Sequence, residues 1–300
     1  MDRAEMGIKI PQEEHMLSGH LACSGCGAAL AMRYVLKAMG KKTIVVIPAC
    51  CWTVIAGTFP YTALGVPVFH AAFETAAVTA AGIRAALEVR GDDETKVLAW
   101  AGDGGTFDIG LQSLSGTAER GDDIIYVCYD NEAYMNTGIQ RSSATPWKAW
   151  TTTTPQRHPK ESPKKDIIAI MLAHHIPYVA TASIAYPHDL IYKVKKAKEI
   201  YGTKFIHIIS PCPPGWKHPS ELSVKVARLI VQTKIFPLYE VEDGNYTINI
   251  WPDNIPVREY LKLQGRFSHL TEEDIEAIQG KANKEWEKLM QKAKLKEVFP

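Results

Sequence analysis

Lys96-Val-Leu-Ala-Trp-Ala-Gly-Asp-Gly-Gly-Thr-Phe-Asp108, then an apolar run from Asp123 to Tyr129, then Asp130-Asn-Glu-Ala-Tyr-Met-Asn-Thr-Gly138, is the stretch that decides the fold. Lys96 to Ala101 is short, mostly apolar and stops at glycines, which reads as a buried strand entering a tight turn. Thr106 and Asp108 are N-cap residue types set before the amphipathic run Ile109 to Glu119, so a helix is expected next. A strand, turn and helix of this kind offers backbone N–H groups and the positive end of a helix dipole to an anion. Glycine lets the chain approach a phosphate with no Cβ in the way.

Asp103 can supply one carboxylate oxygen to a hard divalent cation, and Asn131, at the end of the next strand, an amide oxygen. Mg²⁺ suits such a site, since it takes few protein oxygens and completes its shell with water and phosphate oxygens. A bare Gly-Asp-Gly is common in turns. Spacing makes this one specific: twenty-six residues lie between Gly104 and Asn131, room for one helix and one returning strand. Both residues then fall at the carboxyl edge of neighbouring parallel strands, where open α/β sheets bind ligands. With Asn136-Thr137-Gly138 added, the pattern resembles the thiamine diphosphate signature. Neither a Walker-type Gly-x-x-x-x-Gly-Lys-Ser/Thr nor a Gly-x-Gly-x-x-Gly at a strand end occurs, which lowers the nucleotide-binding alternatives.

The six cysteines, Cys23, Cys26, Cys50, Cys51, Cys128 and Cys212, are a second signal. The chain opens Met1-Asp2-Arg3 without a charged-then-apolar leader, so a reducing, cytoplasmic compartment is expected rather than a disulfide framework. Cys23-Ser-Gly-Cys26 has the spacing that turns two thiolates onto one metal centre, and Cys212 is followed by proline, as iron–sulfur ligands often are. Four thiolates suit a 4Fe–4S cluster or a structural zinc equally, and ligand type alone leaves both open. Cys128 lies inside an apolar strand and reads as a small buried hydrophobe. Cys50 and Cys51 are adjacent, so in an extended segment only one faces a shared centre.

The phrases Cys23-Ser-Gly-Cys-Gly-Ala-Ala, Gly102-Asp-Gly-Gly-Thr-Phe-Asp-Ile-Gly-Leu-Gln, Tyr129 to Ser143, Thr151-Thr-Thr-Thr-Pro and Pro211-Cys-Pro-Pro-Gly-Trp together resemble the β subunit of pyruvate:ferredoxin oxidoreductase. The likeness continues through Pro237-Leu-Tyr-Glu and Glu259-Tyr-Leu-Lys-Leu-Gln-Gly-Arg-Phe. By that resemblance Asp103, Asn131 and the carbonyl of Ala133 hold Mg²⁺. Gly102, Gly104 and Gly105 cradle the diphosphate, Thr137 belongs to the same cofactor-binding set, and Asn136 faces the reactive end of the cofactor and the substrate. Cys23, Cys26, Cys51 and Cys212 match the ligands of one 4Fe–4S cluster, with Cys51 chosen because the family's Thr-Gly-Cys aligns with Ala49-Cys50-Cys51. Cys50 departs from the family glycine and leaves a spare thiol beside the site.

The activity implied is coenzyme A-dependent oxidative decarboxylation of a 2-oxoacid, with pyruvate as the first expectation and oxalate, 2-oxoglutarate or a branched-chain 2-oxoacid as alternatives. Electrons would pass to ferredoxin through a ferredoxin-like subunit. Partner subunits of α, γ and δ type are implied, one of them carrying the cofactor-activating glutamate, in an enzyme of anaerobic metabolism. Zinc has no one-electron step, so beside this cofactor the cluster becomes the better expectation. A zinc-bearing thiamine-binding scaffold and a non-oxidative thiamine decarboxylase or transferase are the competing classes.

Composition fits a subunit of this kind. Hydrophobic residues make up 46% of the 300, and the net charge of +1 points to neither nucleic acid nor an anionic membrane. Thr43 to His70 carries no Lys, Arg, Asp or Glu, yet Pro48, Pro60 and Pro67 break it, so a buried strand followed by a loop is expected, with no membrane span. Helices are expected at Gly27–Ala38, Phe73–Val89, Asp166–His174 and Pro187–Ile200, and strands at Thr43–Ile47, Tyr178–Thr181 and Lys204–Ser210. This is an α/β pattern: a mostly parallel sheet with helices on both faces, in residues 1–218. Residues 219–300 read as a C-terminal extension: a helix Glu221–Thr233, a hairpin near Asp243-Gly244-Asn245 and a last helix from Thr271. The apolar stripe of that helix, Ile275, Ile278, Ala282, Trp286, Leu289 and Ala293, is expected to pack on its own chain or on a partner. Among isolated polar residues, Glu74 reads as a helix-start or cofactor-facing group and His207 as a structural histidine.

Overall fold

The computed structural model describes residues 9–299; the opening Met1-Asp2-Arg3, read above for a leader, lies outside them. Six strands run parallel: β1 Thr43–Pro48, β2 Val68–Ala71, β3 Lys96–Gly102, β4 Ile125–Asp130, β5 Tyr178–Ser183 and β6 Lys204–Ile209. Two more, β7 Leu238–Glu242 and β8 Asn245–Ile250, form the expected hairpin and join the same sheet antiparallel beside β5. The sheet order is β2-β1-β3-β4-β6-β5-β7-β8.

Both faces of the parallel strands other than β2 are buried, which is why those five read as nearly continuous apolar runs. Alternate residues supply two cores. Val45, Ile47, Leu98, Trp100, Val127 and Tyr129 meet helices α1 (Gly27–Met39) and α6 (Pro187–Glu199) on one face. Val46, Val97, Ala99, Tyr126 and Cys128 meet α3 (Ala76–Val89), α4 (Leu111–Arg120) and α5 (Ile167–Leu172) on the other. Cys128 is thus fully buried in the sheet.

Several local expectations shift. The loop expected after β1 holds a short helix, α2 (Cys51–Ile55), and α3 starts three residues later than Phe73. Thr106 and Asp108 do not cap the next helix. The chain passes from β3 into a π-helical turn, Gly104–Ile109, and Gly110 stands before α4. Thr106 Oγ1 instead donates back to the Gly102 carbonyl at 2.8 Å. π-Turns of this sort are frequent at functional sites. Strand β2 was not legible, being a four-residue edge strand with no fully buried residue.

After β6 come α7 (Pro213–Trp216), α8 (Ser223–Gln232), α9 (Val257–Leu261) and α10 (Glu272–Lys292). Thr271 caps α10 in a reciprocal capping box with Asp274. Its stripe is buried on this chain: Trp286 and Leu289 join the second core, and Ala282 a third core built with Trp216, Val226, Leu238 and Tyr260. Among the described residues no helix is long and apolar enough to cross a membrane.

Candidate functional site

The strand order turns at one place. From β1 the chain goes first to β2 on one side and then to β3 on the other, so the carboxyl ends of β1 and β3 splay apart and leave a crevice. A cavity of about 210 Å³ opens there. It is lined by Ala49, Cys50, Cys51 and Val54 after β1, by Gly102 to Gly105 after β3, and by Asn131 and Ala133 to Thr137 after β4. The residues expected to hold the cofactor are therefore brought together, from the segments after β3 and β4, with Cys51 beside them. Asn136 and Thr137 are exposed at its edge.

At its floor, Asp103 is 1% exposed and Asn131 6%. The Asn131 amide has two orientations here. With its nitrogen inward it donates to the Ala133 carbonyl (2.8 Å) and to Asp103 Oδ1 (3.0 Å). With its oxygen inward, three oxygens converge with no proton between them, and only a cation makes that favourable. Oxygens bound side by side to an octahedral Mg²⁺ stand about 2.9 Å apart, given its metal–oxygen distances. The donor set thus fits the metal expected from the sequence.

Charge agrees. Burial pushes the Asp103 carboxyl well above its usual range, the neighbouring Asp130 carboxylate pushes the same way, and the Ser142 hydroxyl, donating to Oδ2 at 2.5 Å, opposes them. Among the described residues no cationic side chain forms an ion pair with Asp103, whereas Asp130 and Glu132 are paired. Lys164 Nζ lies 2.5 Å from Asp130 Oδ2 and 2.8 Å from Glu132 Oε1. His207 Nε2 lies 2.7 Å from Asp130 and Arg266 Nη2 2.7 Å from Glu132. Burial raises Asp130, but Lys164 and His207 outweigh it and hold the group low. A divalent cation at Asp103 would offset a buried carboxylate that, among the described residues, has no cationic partner.

The glycines act less directly than expected. A Cβ on Gly104 would overlap the Tyr134 ring, and one on Gly105 would stand 3.3 Å from the Phe73 ring. Tyr134 is itself fixed by donating to Asp108 Oδ2 at 2.8 Å. The glycines thus admit two aromatic rings against the turn, and those rings wall the cavity.

The Cys23–Cys26 pair lines a second cavity, apart from the one that Cys50 and Cys51 line. Cys26 N donates to the Cys23 carbonyl at 3.1 Å, closing the Cys-x-x-Cys turn. That turn is docked by backbone contact: Gly27 N donates to the Pro211 carbonyl at 3.0 Å, and a Cβ on Gly27 would press on the Pro211 backbone at 2.8 Å. Gly25 likewise lies against Ser220, and its carbonyl accepts from Ser223 Oγ at 2.6 Å. Burial pushes the Cys51 thiol up, and Cys50, Cys212 and Cys26 push the same way. Burial, with Cys26 and Cys23, likewise moves Cys212 up to about 12. A set of thiols that resist ionising together fits a cationic metal centre, which supplies the missing positive charge. Cys50 stands at the N-cap of α2, where its backbone N–H donates to Thr53 Oγ1 at 3.2 Å. Among the described residues no group of three or more His, Cys, Asp or Glu side chains is placed to hold a metal ion.

Sequence reasoning missed Ser142, Lys164, Trp216 and Arg266 as parts of this site, and it left Glu132 without a role. Glu74, considered for the cofactor, is exposed.

Residues 50–208 match the family described as thiamine pyrophosphate enzyme, C-terminal TPP binding domain, so the fold and crevice are those of a thiamine diphosphate enzyme. The chain is 57% identical to the ketoisovalerate oxidoreductase subunit VorB of Pyrococcus furiosus, over 97% of this chain and 96% of that one. It is 52% identical to the pyruvate synthase subunit PorB of Methanocaldococcus jannaschii, over 91% of this chain and 95% of that one. The chain belongs to the β subunits of the 2-oxoacid:ferredoxin oxidoreductases. A solved 2-oxoglutarate:ferredoxin oxidoreductase from Magnetococcus marinus shares the fold, with a TM-score of 0.58 and 22% identity over 75% of this chain and 82% of that one.

Proposed function

We propose that the chain holds Mg²⁺–thiamine diphosphate in the crevice between β1 and β3, and one 4Fe–4S cluster on Cys23, Cys26, Cys51 and Cys212. It would serve coenzyme A-dependent oxidation of a small 2-oxoacid, with ferredoxin as electron acceptor. The observation that carries this reading is the cavity lining, where Cys51 stands with Asp103, Asn131 and Ala133, while the Cys23–Cys26 turn is docked through Gly27 on Pro211, next to Cys212. Bound thiamine diphosphate would supply the nucleophilic carbon and electron sink for decarboxylation, and the cluster a one-electron acceptor beside it.

The chain's own residues bind and orient. Asp103, Asn131 and the Ala133 carbonyl hold the cation; Gly102, Gly104 and Gly105 bring the backbone close to the diphosphate; Thr137 and Asn136 offer polar groups at the mouth. Tyr134 and Phe73 exclude water from one wall. Cys50, set at the N-cap of α2, is the poorer candidate for the third thiolate.

The cavity is smaller than the roughly 300–1,000 Å³ usual for a pocket that encloses a ligand of this size, which supports a half-site completed by another subunit. Partners of α, γ and δ type, one of them ferredoxin-like, follow from the family reading, as does a cytoplasmic place free of membrane and nucleic acid.

Pyruvate is the first substrate expected, and a branched-chain 2-oxoacid is a second reading favoured by the higher identity to VorB. The assembled enzyme, assayed with pyruvate, 3-methyl-2-oxobutanoate, 2-oxoglutarate and oxalate plus coenzyme A under reduction of a viologen dye, tests both. Activity with pyruvate or its branched-chain analogue supports the proposal, and activity with none of the four overturns it.

A further inference from the structure

Glu132 lies between the two residues whose oxygens face Asp103, and its backbone is left-handed, with φ of 67°. For a residue with a side chain such a conformation is uncommon and has to be held by its surroundings. Here the holding is unusually complete. Glu132 N donates to Asp130 Oδ1 at 2.9 Å and its carbonyl accepts from Thr145 Oγ1 at 2.7 Å. Its carboxylate, in a residue 3% exposed, is gripped by Lys164 on one oxygen and by Arg266 on the other.

Arg266 comes from the Glu259–Phe267 motif, for which sequence reasoning had no chemical role. It is 2% exposed, and its guanidinium does three things. It bonds Glu132 Oε2, donates to Gln264 Oε1 at 2.9 Å and to Tyr260 Oη at 3.1 Å, and lies 3.9 Å over the Trp216 ring. Trp216 Nε1 in turn donates to the Asn131 carbonyl at 2.7 Å, and Trp216 N to the Cys212 carbonyl at 2.8 Å. One planar cation therefore reaches Glu132 directly and Asn131 through the indole.

We propose that Arg266 is a positioning residue for the cation site: it fixes the strained Asn131–Ala133 turn so that the amide oxygen and the Ala133 carbonyl converge with Asp103. Arginine suits the task because a rigid fork can bond a carboxylate while its face stacks on an indole; lysine can do only the first. The inference rests on the cation-site reading above. Supporting partners of metal ligands are typically worth 10–100-fold in metal affinity, on the order of what is expected here.

The test is Mn²⁺ binding in the presence of thiamine diphosphate, followed by electron paramagnetic resonance on the full chain purified with its partner subunits. Arg266→Gln should weaken Mn²⁺ by about tenfold or more and broaden the bound signal as the ligand geometry loosens. Arg266→Lys should recover part of the affinity. Glu132→Gln should add little in the Arg266→Gln background, because the two act as a unit. Lys193→Met, which breaks buried contacts to Asp189 on α6 and to the Thr181 carbonyl on β5, controls for general loss of stability and should leave Mn²⁺ affinity unchanged. Arg266→Gln that binds Mn²⁺ like the wild type overturns the positioning role alone, as does an equal loss in Lys193→Met. Wild type that binds no Mn²⁺ with the cofactor overturns the cation site and this inference with it.

Discussion

Asp103 is the residue on which the cation site depends, because it is a buried carboxylate that, among the described residues, has no cationic partner. Asp103→Ala removes one of three oxygens and the only negative charge among them, so Mg²⁺-dependent binding of thiamine diphosphate should fall by about 100-fold or more, beyond the usual cost of losing a supporting partner. Calorimetric titration of the cofactor with and without Mg²⁺ measures it; unchanged binding would remove Asp103 from the site. At the thiol set, Cys212→Ala should abolish the visible absorbance of a cluster while leaving cofactor binding intact, and Cys50→Ser should keep both. Absorbance lost in Cys50→Ser but kept in Cys51→Ser would reverse the choice between them. The first of these sites was legible because Asp103 and Asn131 end neighbouring strands whose spacing is fixed by one helix. Arg266 was not: it bonds Glu132 across 134 residues of chain, and no periodicity or local spacing encodes such a contact. Ser142, 39 residues from Asp103, was hidden for the same reason.

Among elements, the central strands were readable since both their faces are buried, and β2 escaped because an edge strand with exposed Phe69 and His70 carries little apolar signal. The π-helical turn after β3 was read as an ordinary capped helix: Thr106 and Asp108 are N-cap types, and only three-dimensional context turns their side chains to Gly102 and Tyr134 instead. The segment before α1 carries a pH-dependent tie. Arg33 bonds Glu14 at 2.6 Å, Lys37 bonds it at 2.7 Å, and these cations lower its carboxyl from 4.5 to about 2. A lowered acid stabilises the folded form fully above its unfolded pKa and loses that contribution as pH falls from about 4.5 toward 2. Glu14 is 38% exposed, so solvent screening makes the effect local rather than global. The protection of the amides of residues 9–17, relative to their intrinsic exchange rates, should therefore fall on acidification across that window, and Glu14→Gln should show the lowered protection already at neutral pH. Equal exchange in both proteins at neutral pH would discard the tie.

At the scale of the molecule, the crevice opens beside an apolar rim. Val54 lines the cavity and is half exposed, Phe59 and Tyr61 on the following loop are 97% and 80% exposed, and Leu21 N donates to the Ile55 carbonyl, bringing exposed Leu21 alongside. Apolar surface of this kind is expected to be covered in an assembled enzyme. The double variant Phe59→Ser, Tyr61→Ser should reduce association with the partner subunits when co-purified by a tag on this chain, and reduce self-association of the chain alone. Full recovery of the complex would show that the partner sits elsewhere. The central claim, a thiamine diphosphate site and an iron–sulfur cluster sharing Cys51, is tested most directly by composition. The complex, purified without oxygen, is analysed for iron, acid-labile sulfide, zinc and bound thiamine diphosphate, alongside its absorption spectrum. The account predicts about four irons and four sulfides for each of these chains, beyond those of a ferredoxin-like partner, with a broad visible band that Cys212→Ala removes. One zinc per chain, no sulfide assignable to it, and a spectrum indifferent to Cys212 would contradict it.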